Sequence, residues 1–183
     1  LFTAAGASDA TSYISTGNVS FRLDDEADVN RFVTTVEQGV TDVVGRTTEV
    51  FVRPLDELVR MYDADPFADS PFAEFQDALV IMFRDGVPAM LELPIESARG
   101  DWVVFAAGPK EVFAVVRDVD GRRQSPGGVI ERLAGERMTS RAWSTIERIV
   151  TKLARPTSEP GPQPGLDIRT RGRRQPRPIP PTR

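Results

Sequence analysis

Thr11-Ser12-Tyr13-Ile14-Ser15-Thr16-Gly17-Asn18-Val19-Ser20-Phe21-Arg22-Leu23 is the stretch whose reading decides the fold. Residues 11–15 carry Tyr13 and Ile14, a β-favouring run. Residues 18–23 alternate Val19, Phe21 and Leu23 with Ser20 and Arg22, the period of a half-buried strand. The link Thr16-Gly17-Asn18 places glycine where a tight turn needs a positive φ. The stretch therefore predicts an antiparallel hairpin.

Upstream, Leu1, Phe2, Ala4 and Ala5 favour helix, and Gly6 suits a left-handed stop. Downstream, Asp24 or Asp25 can cap a helix, and Glu26 and Asp28 complement the positive end of its dipole. Val29, Phe32, Val33, Val36, Val40, Val43 and Val44 then form a stripe of helical period that ends at Gly45. Residues 48–52 are β-branched and aromatic, a further strand. The order helix, strand, strand, helix, strand is a ferredoxin-like pattern lacking its first strand. Since the chain begins at Leu1 and not Met, the expectation is a fragment cut just after that strand.

From Pro54 onward a second, smaller α+β half is expected, over 54–153, after a first half over 1–53. Pro54 opens a helix with Leu55, Leu58, Val59 and Tyr62 on one face. Asp63, Asp65 and Asp69 fall in a loop; they are a loose oxygen set for a hard cation, and read as solvated charges. Residues 79–83 are unbroken apolar, a strand buried on both faces. Residues 87–93 read as a weaker strand interrupted by Pro88. Residues 101–106 and 111–117 are strands joined through Gly108-Pro109. Ser125-Pro126 starts a helix that stops near Gly135, and Thr139 caps the last one. That last helix has the stripe Ala142, Trp143, Ile146, Ile149, Val150 and Leu153, which puts Trp143 in the core.

The chain of 183 residues has no Cys and no His, which excludes disulfides, thiolate nucleophiles, Cys/His zinc sites and a His general base. Residues 1–153 hold 16 basic and 25 acidic groups, a net of −9, while residues 154–183 hold 7 and 2, a net of +5. The acidic body disfavours contact with nucleic acid or anionic membrane. The tail has 8 of the 15 prolines and 4 apolar residues in 30, so disorder is expected over 154–183. Arg outnumbers Lys 21 to 2, a ratio that high-GC coding explains without function. No apolar run approaches the ~18 residues of a membrane span, and no basic segment followed by an apolar one opens the chain. The expected setting is cytoplasmic, with no membrane partner.

Two stretches resemble a known family. Ser12 to Phe21 is similar to the strand-turn-strand signature of the bacterial domain of unknown function 1697 (DUF1697) family, which reads like T-Y-I-Q-S-G-N-V-V-F. Thr139-Ser140-Arg141-Ala142-Trp143-Ser144-Thr145-Ile146 is similar to its closing helix, which reads like T-T-R-N-W-N-T-V. Here Ala142 and Ser144 stand where the family usually carries Asn. The resemblance covers about residues 1–153. It implies a two-part α+β protein with a ferredoxin-like first half, and no established activity. A strand and a glycine-containing loop would precede Leu1.

Five residues emerge as candidates for binding a ligand or partner. Thr16, Gly17 and Asn18 can form an anion- or substrate-binding turn, or simply satisfy the geometry of a hairpin. Arg141 and Trp143 can present a guanidinium beside an indole, or serve a surface pair and the core. The acidic run from Asp24 to Asp28 can hold a hard cation, but helix capping accounts for it without a metal. Phosphate-loop, dinucleotide, metalloprotease and Ser-x-x-Lys spacings are absent, so neither a cofactor nor a metal is expected. In the tail, Arg169, Arg171, Arg173, Arg174, Arg177 and Arg183 suit phosphates. Residues 178–183 fit a P-x-x-P-x-R polyproline ligand, and read-through of GC-rich codons gives the same composition.

The sequence thus predicts a cofactor-free protein that binds an unknown small ligand or protein through its sheet and the two motif stretches. One alternative is an enzyme that uses carboxylates and Arg141 on a small anionic substrate. The other is a nucleic-acid accessory protein acting through the basic tail.

Overall fold

The structure, a computed structural model, describes residues 1–13, 17–24 and 29–154. The hairpin forms as expected. Strand β1 (Ser8–Tyr13) pairs antiparallel with β2 (Asn18–Arg22), with Ser12 opposite Val19 and Tyr13 opposite Asn18. Its register shifts between Ser8 and Thr11, where Asp9 takes a φ of 52°. Residues 1–6 form turns in place of the expected helix end. Ala5 N–H donates to the Leu1 carbonyl at 3.0 Å, and Gly6 turns the chain at φ 101°.

Helix α1 (Val29–Val44) lays Phe32 and Val36 against the hairpin. Phe2, Phe21 and Phe32 meet there, with ring centroids 4.5–5.8 Å apart. The stripe ends earlier than its pattern suggested, because Val43 and Val44 point to solvent. Gly45 closes the helix region at φ 73°.

Residues 48–52, expected as a strand, pair with no strand among the described residues. Side chains take the backbone groups that a neighbouring strand would have used. Val50 N–H donates to Glu37 Oε1 at 2.8 Å, and its carbonyl accepts from Arg84 Nη2 at 3.2 Å. The first unit is thus a two-stranded hairpin on one helix, short of the ferredoxin-like sheet expected of it.

Helix α2 (Leu55–Asp63) opens after Pro54 as predicted. A five-stranded antiparallel sheet follows, built from β3 (Asp77–Met82), β4 (Ile95–Glu96), β5 (Trp102–Ala107), β6 (Glu111–Val116) and β7 (Thr139–Ala142). Its order is β4-β5-β6-β3-β7. Between β6 and β7 lies α3 (Gly127–Ala134), closed by Gly135 at φ 69°, and after β7 comes α4 (Trp143–Leu153). One sheet face carries Ile81, Val104, Val112 and Ala114 against Ile130 and Ala134 of α3. The other carries Val80, Met82 and Phe113 against Met61 of α2 and Ile146 and Val150 of α4. Helices on both faces explain why β3 is apolar without alternation, and they make this second unit the larger one, not the smaller one expected.

Two further expectations need correction. Residues 87–93 form no strand. Pro88 has no N–H to give a ladder, Val87 bonds instead to the Pro109 carbonyl, and Leu91 turns back onto the Pro88 carbonyl at 3.0 Å. Thr139 does not cap the last helix either. Residues 139–142 pair with β3, Arg141 opposite Val80, and the helix begins at Trp143. The outer edge of β3 offered unpaired donors and acceptors, and this short segment takes them. Among the described residues no helix is long and apolar enough to cross a membrane.

Candidate functional site

The two motif stretches lie far apart in sequence and meet in space. Gly17, at φ 76°, turns the hairpin so that Asn18 opens β2. Asn18 Oδ1 accepts from Arg141 Nε at 2.7 Å. Arg141 Nη1 also donates to Thr139 Oγ1 and to the Ser140 carbonyl, each at 2.8 Å. The guanidinium therefore binds the hairpin tip to the edge strand β7. Burial holds its pKa below the ordinary value. Thr16 lies outside the described residues, as do Asp25, Glu26, Asp28 and the tail from residue 155 on.

A second link lies along α4, where Lys152 Nζ sits 4.5 Å from the Tyr13 ring centroid. A cleft of about 530 Å³ opens at this junction, lined by Ser12, Tyr13, Glu147, Arg148, Thr151 and Lys152. A second, of about 320 Å³, is lined by Tyr62, Asp63, Asp65, Trp143 and Glu147. Glu147 belongs to both.

Trp143 is half-buried, and its expected place in the core is only part of its setting. Its indole lies 5.1 Å from Phe67 and meets Phe113 edge-on at 6.2 Å, which fixes its position. It also stacks on Tyr62 at 6.1 Å and 19°, and this pair walls the smaller cleft. At the end of α2, Asp65 takes a left-handed φ of 44°, and its N–H bonds back to the Tyr62 carbonyl at 3.2 Å. The chain turns there, and Asp63 and Asp65 both line the same opening.

Sequence reasoning named Asn18, Arg141 and Trp143 but not the carboxylates beside them. Asp63 and Asp65 read as loop charges, and Tyr62 as one member of an apolar stripe. Glu147 left one trace, its position four residues after Trp143 on the same helix face.

A separate charged cluster lies at the end of β3 and the start of β6. Arg53 donates to the carbonyls of Val52, Phe83 and Lys110, and Lys110 Nζ sits 3.3 Å from Glu57. Burial pushes the neighbouring Glu111 carboxyl above its ordinary value, while Arg53 opposes the shift. Glu111 lines neither cleft. Among the described residues, no group of three acidic side chains is placed to hold a metal ion.

No curated protein and no solved structure matches the chain. A family model, described as "Protein of unknown function (DUF1697)", matches residues 1–113, which include the hairpin signature but not the closing stretch at 139–146. With the hairpin signature inside a match that spans more than half of the sequence, the chain belongs to the DUF1697 family of proteins of unknown function.

Proposed function

We propose that the protein is a ligand-binding protein that works without a resident cofactor, and that its site is the groove where α4 meets the β1–β2 hairpin and the end of α2. The observation that carries this reading is the 2.7 Å bond between Asn18 and Arg141. It ties together the two stretches singled out in the sequence, and Tyr13, opposite Asn18, and Trp143, two residues after Arg141, line two clefts that share Glu147. Arg141 serves here as a positioning residue that holds the hairpin in place. The proposal keeps the cytoplasmic setting expected from the sequence.

The enzyme alternative has less support. It calls for a carboxylate of raised pKa in a concave site with Arg141. The raised carboxylate, Glu111, is instead surrounded by Arg53, Glu57 and Lys110.

The two tryptophans make the proposal testable. Trp102 is 4% exposed, whereas Trp143 is half-buried and lines a cleft. In a Trp102→Phe background, fluorescence reports on Trp143 alone. A chemically diverse small-molecule library is expected to yield ligands that shift this signal, and the amide resonances of Ser12, Asn18, Asp65 and Glu147 with it. Ligands that perturb only other surfaces, or none at all, would sink the reading.

A further inference from the structure

We infer that the larger cleft, between β1 and α4, holds the phosphate group of a small organic phosphate monoester. This rests on the reading above and names the chemical class of its ligand.

Unpaired charge carries the argument. Arg148 and Lys152 stand four residues apart on α4, so they share one face of the helix, and both line this cleft. Among the described residues neither forms an ion pair, although residues 1–153 carry a net charge of −9. Two like charges at this spacing destabilise a helix. The helix dipole favours Lys152 in the last turn, but its reach ends before Arg148. A bound anion offsets the repulsion between the two. Lys152 is already held in place, its ammonium 4.5 Å from the Tyr13 ring centroid. That ring fixes the ammonium without cancelling its charge. Tyr13 is 8% exposed, so it forms the floor beneath the lysine and offers no face to a ligand.

The donors select the anion. Ser12 and Thr151 add two hydroxyls, which no hydrogen bond among the described residues engages. A guanidinium fork, an ammonium and two hydroxyls suit a group with three terminal oxygens and up to two charges. A carboxylate has two oxygens and one charge, and leaves part of the set unused. Glu147 is the one carboxylate among the lining residues. It repels a second anionic group, so the ligand carries a single phosphate. The volume of about 530 Å³ accommodates that group with a short carbon body. The net charge of the body repels anions at long range, but salt screens this beyond about 8 Å. At contact the two cations govern.

The full chain is titrated by heteronuclear NMR in phosphate-free buffer with glycerol 3-phosphate, with glycerol, with glycerate and with a phosphoserine peptide. Both cations are exposed, so a Kd of about 0.1–1 mM for glycerol 3-phosphate is expected. Binding should saturate, shift the resonances of Ser12, Arg148, Thr151 and Lys152, and be about tenfold tighter than that of glycerate. Arg148→Gln and Lys152→Gln should each weaken it about threefold to tenfold, Lys152→Arg should preserve it, and Glu147→Gln should strengthen it about twofold. Arg148 makes no ion pair among the described residues, so its replacement should leave thermal melts unchanged and separates binding from folding. Equal binding of glycerol or glycerate, or indifference to both cation substitutions, would overturn the inference. Tighter binding of the peptide would overturn its assignment to a small molecule. If a library ligand shifts Ser12 and Glu147 while glycerol 3-phosphate does not, the phosphate assignment fails and the binding groove stands. If neither shifts them, both fail.

Discussion

The five-stranded sheet buries Val80, Ile81, Val104, Val112, Ala114 and Val115 completely, whereas among the described residues of the β1–β2 hairpin only Tyr13 is buried. The sheet is covered by helices on both faces. The hairpin rests on a single helix through Phe32 and Val36. Crossing between the two regions are Arg141 to Asn18, Arg84 to Glu37 at 2.5 Å, Arg137 to Glu49 at 3.8 Å, and Lys152 over Tyr13. Apolar burial holds the sheet together, while directional polar contacts hold the hairpin to it. Exposed ion pairs contribute about 0.2–1 kcal/mol each, far less than one buried aromatic ring. The hairpin unit should therefore open at lower cost than the sheet, and it supplies one wall of the proposed groove.

The largest expected effect is on the sheet. Phe83→Ala removes a fully buried ring from the core beneath α3 and should cost about 3–5 kcal/mol. Denaturant melts should show the whole chain losing stability together. Loss confined to the hairpin would reverse the comparison.

Phe32→Ala should cost about 3 kcal/mol, but locally. Phe32 is 1% exposed and packs between Phe2 and Phe21. Hydrogen exchange should show protection lost in β1, β2 and α1 and kept in β3 and β6. Equal loss in both would mean that the two regions unfold as one.

Arg141→Lys tests the joint between them. An ammonium cannot reproduce a fork that reaches Asn18, Thr139 and Ser140 together. A loss of about 1–3 kcal/mol is expected, read as faster exchange at Asn18 and Val19. Unchanged exchange there would leave Arg141 with no role in docking the hairpin.

The smallest effect concerns pH. Burial raises the Glu111 carboxyl above its ordinary 4.5, so the folded chain holds this proton more tightly than the unfolded chain. Its contribution is full below 4.5 and is lost as pH rises through the higher folded value. Glu111→Gln stays neutral throughout. Relative to the unaltered chain, its melting temperature should therefore rise between pH 4 and pH 7. A constant difference across that range would show that burial does not govern this group.

What could be read from the sequence follows the same division. The β5–β6 hairpin and the buried stripe of α1 at Phe32 and Val36 were plain because local pattern and burial agree there. So were the stops at Gly45 and Gly135, where φ is 73° and 69°. Residues 48–52 have strand composition, yet their fate depended on Glu37 and Arg84, and no local rule anticipates those partners. Residues 139–142 looked like a helix start because Thr139 suits a cap. The open edge of β3 decided otherwise, and that edge is a tertiary fact. Asn18, Arg141 and Trp143 stood out through the family motifs. Tyr62, Asp63, Asp65 and Glu147 did not, since a cleft assembled from α2 and α4 has no signature in either helix alone.

The ratio of 21 arginines to 2 lysines also takes on a different meaning. Codon bias can set such a ratio, but the fork of Arg53 spans several backbone carbonyls, and those of Arg84 and Arg141 each reach a backbone carbonyl as well as a side chain. A lysine is a single point charge and cannot span such a set. The joints of this molecule are thus set apart by their reactivity. A reagent that acylates amines meets only Lys110 and Lys152 among the side chains, and removes just one contact between hairpin and sheet, the one over Tyr13. A dicarbonyl that condenses with guanidinium groups can reach Arg84 and Arg141 at the joints themselves, and the rate at which these two are labelled traces how readily the hairpin lets go.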